Sequence, residues 1–119
     1  MTYSLFERFP SLAPVLPAAG LLRGPTAVQS LGEGLWLKRD DLSAGDYGGN
    51  KIRKLDFLLA AAKAAGVGEL LTFGYAGSNF VAAPAWHGRA LGLDTRAFLL
   101  PPVNASYVAD NLAVGLHAG

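Results

Sequence analysis

The stretch Asp46–Leu55, DYGGNKIRKL, sets two glycines and an asparagine directly before a lysine at the opening of a helical run. Ile52, Leu55, Leu58, Leu59 and Ala62 follow the three-and-four spacing of one helix face, and the alanines between them favour helix. Glycine lets backbone come close to a ligand. The stretch therefore reads either as a loop that stops where a helix starts or as a device that displays Lys51 as a reactive amine. An amine is nucleophilic only when unprotonated, and a free lysine, with a pKa of about 10.4, is charged at neutral pH. The positive end of a helix, with Lys38, Arg39, Arg53 and Lys54 near in sequence, disfavours an ammonium at Lys51; Asp40 and Asp41 offset this. Such a site favours a neutral amine, or a Schiff base formed with an aldehyde.

Working outward, LWLKRDDL before this stretch reads as a short strand, Leu35 to Lys38, that ends in a polar turn. GPTAVQSL ahead of it reads as a turn leading into extended chain. Four of the seven prolines, at 10, 14, 17 and 25, fall in the first 34 residues, which read as an irregular N-terminal arm wrapping over a core. On the other side, Gly66 and Gly68 end the helix. ELLTFG is then a strand, YAGSN a loop of small residues, FVAAPAWHGRALG a helix and TRAFLLP a strand stopped by Pro101 and Pro102. NASYVADNLAVGLHAG is a last helix, with Asn104 or Ser106 as N-cap. Pro84 requires the second helix to start near Phe80 or to kink. Strand and helix alternate, which implies an α/β fold with a mostly parallel sheet in three layers. Residues 35–119 form its α/β portion, and the sequence stops after a helix, where such units normally feed another strand, so it reads as cut short.

The composition narrows the function classes. With 51% hydrophobic and 16% charged residues in a chain of 119, the sequence is globular, and a net charge of +1 gives no reason to expect nucleic acid or an anionic membrane as partner. There is no cysteine, which excludes disulfides and cysteine-bound metal. Glu7 and Arg8 interrupt what would be a signal peptide, and Asp56, Lys63 and Glu69 interrupt the longest apolar region, so no membrane span is expected and the cytoplasm is the default location. His87 and His117 lack partners at metal-ligand spacing. Asp40 and Asp41 read as solvating or capping acids rather than paired catalytic carboxylates. Trp36, Trp86 and the phenylalanines read as core. A nucleotide-binding P-loop fails at Asn50 and Ile52, where it needs glycine and a hydroxyl, and no G-x-G-x-x-G occurs.

Three features fall at strand ends or helix starts, where open α/β sheets bind ligands: the GGNK turn at 48–51, the loop GYAGSN at 74–79, and the pair Arg53 and Lys54. Together they suggest a phosphorylated ligand beside a lysine. Ser78 and Asn79 precede a helix, where they can cap it, cradle an anion, or do both.

The block LWLKRDDLSAGDYGGNKIRKLDFLL, followed by TFGYAGSN, resembles the pyridoxal-phosphate enzymes of the tryptophan-synthase β-like fold (fold type II). It is most similar to their aminocyclopropanecarboxylate deaminase and D-cysteine desulfhydrase branch, and to the N-terminal part only. The likeness runs from GPTAV at 24–28 to NLAVGLHAG at the end. It implies a partial tryptophan-synthase β-like fold and a deaminase or lyase that uses pyridoxal 5'-phosphate on a small amino acid, with a homodimer in the full-length protein. It further implies that Lys51 bonds the cofactor covalently, Asn79 hydrogen-bonds its phenolic oxygen, Lys54 approaches its phosphate and Asn50 shapes the pocket. Ser78 would lie over the substrate carboxylate or assist as a nucleophile. Where the deaminase branch carries a second glycine, a glutamine and a histidine or similar residue around the serine, this chain has Tyr75, Gly77 and Phe80. Two rival readings are a fragment without a complete site and a non-catalytic α/β module that binds a phosphorylated ligand.

Overall fold

The structure, a computed structural model, describes residues 3–101 and 106–119. The chain divides into two compact units, Met1–Ala61 and Ala62–Gly119.

In the first unit, helix α1 (Ser4–Arg8) is a little over one turn and a 3-10 turn follows at Pro10–Leu12. Closely spaced prolines leave no room for a longer helix. Strands β1 (Val28–Gly32) and β2 (Leu35–Lys38) form an antiparallel hairpin that pairs Val28 with Lys38 and Ser30 with Trp36. Glu33 and Gly34, between the strands, both have positive φ, 48° and 77°, the backbone shape that matches the twist of a two-residue hairpin. A second 3-10 turn, Asp40–Leu42, leads through the glycine turn into α2 (Ile52–Ala64). Ile52, Leu55, Asp56 and Leu59 make its buried face, whereas Leu58 is exposed. The helix ends in a Schellman motif: Gly66, at φ +70°, donates to the Lys63 carbonyl, and Val67 donates to that of Ala62.

The proline-rich opening lies along α2. Tyr3 packs at a tilt and Phe6 edge-on against Phe57, with ring centroids 5.6 and 6.0 Å away. The Leu21 amide donates to the Asp56 carboxylate at 2.8 Å, and the Ala19 amide donates to the Asp56 carbonyl at 2.9 Å.

In the second unit, β3 (Glu69–Tyr75) and β4 (Asp94–Leu100) pair in parallel, in register from Glu69 with Asp94 to Tyr75 with Leu100. Helix α3 (Asn79–Ala90) connects them and α4 (Tyr107–His117) follows. One sheet face meets α3, and the fit is close. A Cβ on Gly88 would stand 3.3 Å from both Leu70 and Thr95, and one on Gly74 would stand 2.8 Å from Val81. Pro84 lies buried within α3, and because it has no N–H the Phe80 carbonyl loses its usual helical donor.

The α/β expectation holds, with one element placed differently. The strand at Leu35–Lys38 does not join the parallel pair; it belongs to a separate antiparallel hairpin with β1. The aromatic core also differs from expectation. Trp36, Phe73 and Phe98 are more than half exposed: Phe73 and Phe98 fall on the sheet face opposite α3, and Trp36 lies on a hairpin exposed on both faces. Phe73 and Phe98 stack on each other at 5.3 Å. The cores are small aliphatic clusters: Leu22, Ala44, Ile52, Leu55 and Leu59 in the first unit, Val81, Ala82, Ala83 and Leu93 in the second. Asn104 lies outside the described residues, and Ser106 occupies the N-cap position of α4 without a side-chain cap bond.

Candidate active-site residues

The first unit brings Asn50, Lys51 and Lys54 together at the start of α2. The Lys51 carbonyl accepts from the Lys54 and Leu55 amides, both at 3.0 Å, so Lys51 is the residue from which the helix begins. Lys51 is half-buried, while Asn50 and Lys54 are exposed. The turn ahead of them is tightly built. Gly48 rests against the Asp40–Leu42 turn so closely that a Cβ there would stand 1.9 Å from the Asp41 carbonyl oxygen. Gly49, at φ +133°, donates to the Asp40 carbonyl at 2.8 Å. A positive φ and a backbone-to-backbone approach are what only glycine supplies cheaply.

The charges expected to bear on Lys51 are largely engaged with one another. Arg53 grips Asp40 through Nε at 3.1 Å and Nη2 at 2.6 Å, and Nη2 also donates to the Thr26 hydroxyl at 2.9 Å. That hydroxyl donates to Asp40 at 3.0 Å and accepts from Lys38. The Arg53 hydrogen bond, reinforced by Thr26, holds the Asp40 carboxyl below the usual carboxylate range. Arg39 pairs with Asp41 at 2.6 Å and lowers that carboxyl in the same way.

The second unit brings Ser78 and Asn79 together at the start of α3. Ser78 is the N-cap, its hydroxyl accepting from the Phe80 amide at 3.2 Å. Gly77 precedes it at φ +84° and is doubly constrained, since a Cβ would stand 2.6 Å from the Val108 Cα of α4. The Asn111 side chain of α4 donates to the Gly77 carbonyl at 2.8 Å, which fixes the loop from the other side.

No protein-family model matches the chain. Among individual proteins, it is 42% identical over 109 residues to the nocardicin C-9' epimerase of Nocardia uniformis, an alignment covering 87% of this chain and 33% of that protein. It is 37% identical over 99 residues to the D-cysteine desulfhydrase of Salmonella paratyphi B, covering 83% and 30%. The crystal structure of an ACC deaminase homologue superposes with a TM-score of 0.73 at 30% identity, over 95% of this chain and 36% of that one.

The chain is similar in sequence and fold to part of the proteins named as aminocyclopropanecarboxylate deaminase homologue and D-cysteine desulfhydrase. It spans about a third of the length of the curated relatives it matches. Three supporting residues were not singled out by the sequence reading. Thr26 and Asn111 act on partners 14 and 34 positions away, and Ser43, within the block that carries the resemblance, acts on Gly49 six positions on.

Proposed function

We propose that the chain supplies part of the active site of a pyridoxal-phosphate-dependent deaminase or lyase acting on a small amino acid. The observation that carries this reading is the Gly48–Gly49 turn, packed on the Asp40–Leu42 turn, which delivers Lys51 immediately ahead of the first residue of α2. The available donors suit the cofactor: an amine, a cation one turn beyond it, and a serine–asparagine pair at a helix N-terminus. No carbon crowds the place of a Cβ on Gly49 within 4 Å, so a group can approach the turn there.

Lys51 would hold the cofactor covalently through Nζ. Lys54 would stand toward its phosphate, Asn79 would hydrogen-bond its phenolic oxygen and Asn50 would border the pocket. When bound, the cofactor supplies an electron sink for negative charge at the substrate Cα. Ser78 would bind the substrate carboxylate or assist as a nucleophile, and the α3 N-terminus favours that anion. The Lys51 amine, once exchanged for the substrate's amino group, would take the proton from Cα. A second reading, epimerisation, is supported by the 42% identity to an epimerase and by Gly77 and Phe80, which put no polar side chain at those two places around Ser78. Assembly as a homodimer and a cytoplasmic location complete the proposal; among the described residues no helix is long and apolar enough to cross a membrane.

The test is a spectral titration of the purified chain with pyridoxal phosphate, then borohydride reduction and peptide mapping, beside Lys51→Ala. A visible band with the reduced label on Lys51, lost in the variant, is expected. Label spread over Lys38, Lys54 and Lys63, or binding unaffected by the variant, refutes the reading. Ammonia release, sulfide release and loss of chirality at Cα in deuterated water then separate deaminase, desulfhydrase and epimerase.

A further inference from the structure

We propose that Ser43 is the positioning residue for Lys51, acting through Gly49. The inference rests on the reading of Lys51 as the cofactor-bearing amine. Ser43 is fully buried, at 0% exposure, and neither the lysine motif nor the flanking acids pointed to it. Its hydroxyl donates to the Gly49 carbonyl at 2.9 Å and accepts from the Gly49 amide at 3.0 Å. One side chain thereby holds both polar groups of a single glycine, so both peptide planes flanking that residue are fixed.

The serine itself is anchored from two directions. Its amide donates to the Asp40 carbonyl at 3.1 Å, and its carbonyl accepts from the Arg23 amide at 2.9 Å. Downstream, the same Gly49 carbonyl accepts from the Ile52 amide at 3.2 Å, and Ile52 is fully buried in the core. Lys51 therefore stands between two immobilised points, Gly49 and Ile52, only three residues apart. Within that span the backbone has little freedom, and the direction in which the Lys51 stem leaves it is set by the Ser43 bonds. Gly49 has no side chain to resist rotation. Without the hydroxyl, its amide keeps the Asp40 carbonyl, while its carbonyl keeps only Ile52, and the plane between Gly49 and Asn50 loses one of its two restraints. The two other candidates for this role act elsewhere: Asp40 and Thr26 bond to Arg53 and to each other, and of these only the Asp40 carbonyl reaches the turn.

The experiment compares the unaltered chain with Ser43→Ala and Ser43→Cys. The cysteine fills nearly the same space with a thiol that bonds weakly, so it keeps the fold if the alanine cavity does not; circular dichroism confirms folding of each. Each protein is reduced with borohydride in the presence of pyridoxal phosphate, and labelling at Lys51 is read against Lys63 by peptide mapping. Formaldehyde methylation of the same lysines reports simple access to the amine. In both variants the preference of pyridoxal phosphate for Lys51 is expected to fall about tenfold, the equivalent of one hydrogen bond, with methylation unchanged. A folded cysteine variant that keeps the full preference overturns the role of Ser43 while leaving the reading of Lys51 intact. An unaltered chain with no preference for Lys51 overturns that reading, and the role of Ser43 with it.

Discussion

Gly77→Ala tests the second candidate cluster most directly, because two separable costs meet at one atom. The first is conformational. Gly77 sits at φ +84°, and a side chain there costs about 1–2 kcal/mol. Alanine also narrows the unfolded ensemble, which returns about 0.4–1 kcal/mol. The second cost is steric: the new Cβ would stand 2.6 Å from the Val108 Cα and 3.0 Å from its Cβ, so α4 itself must shift. Forcing an extra carbon into occupied space costs about 1–3 kcal/mol. Gly66 supplies the internal control. It has a similar φ of +70° but nothing within 4 Å of its would-be Cβ, so Gly66→Ala carries only the conformational part. The expected losses are about 0.5–1 kcal/mol for Gly66→Ala and about 2–4 kcal/mol for Gly77→Ala. Urea unfolding followed by circular dichroism, with both variants fitted to a common slope, measures the difference. If Gly77→Ala is no more destabilising than Gly66→Ala, then α4 does not press on the loop and the account of how Ser78 and Asn79 are held is wrong.

Three further outcomes are expected. The Asp40 carboxyl, lowered first by its Arg53 hydrogen bonds, contributes stability that is present above the unfolded carboxylate pKa of about 3.9 and is lost as pH falls through the folded value; Asp40→Asn should abolish that part of the acid dependence in unfolding measured between neutral and acid pH. Burial, aided by the facing Asp56 carboxylate, pushes the Tyr3 phenol up to about 12, so its stability contribution holds below about 10 and disappears as pH rises toward 12, and the late-ionising part of an ultraviolet titration should shrink by one tyrosine in Tyr3→Phe, leaving Tyr47, which burial also raises. Ser78→Ala removes the N-cap of α3 and should cost about 1 kcal/mol in urea unfolding, with Ser78→Asp recovering most of it.

What could be read along the chain was whatever depends on neighbours in sequence. The start of α2 at the lysine, its glycine-terminated end, the start of α3 beside Ser78 and the two strands at 69–75 and 94–100 all follow from spacing, capping and propensity, which act within a few residues. What could not be read was pairing over distance. Nothing in Leu35–Lys38 says whether it pairs with the hairpin partner before it or with a parallel strand after it, since its exposed face and its apolar run suit either. The same holds for the outer aromatics: an alternating strand declares that two faces exist, not which one is covered. Thr26 joins Asp40 and Arg53 through bonds spanning 14 and 27 positions, so no local pattern marks it.

The two polar helix starts nevertheless share a construction, and it explains why their supports were invisible while their tips were not. Each has a glycine at positive φ just ahead of the helix, one that backbone elsewhere in its own unit approaches or that follows such a neighbour: Gly49 after Gly48 against Asp41, and Gly77 against Val108. Each glycine is then held by one polar side chain from another element, Ser43 for Gly49 and Asn111 for Gly77. The glycine gives a conformation that no other residue adopts cheaply, and the pinning side chain removes the freedom that glycine would otherwise bring. A glycine without its pin would leave the lysine or the serine mobile, and a pin without the glycine would have no backbone close enough to grip. The signal GGNK or GSN is thus only half of each device, and changing the other half should alter the helix start while leaving the motif itself untouched.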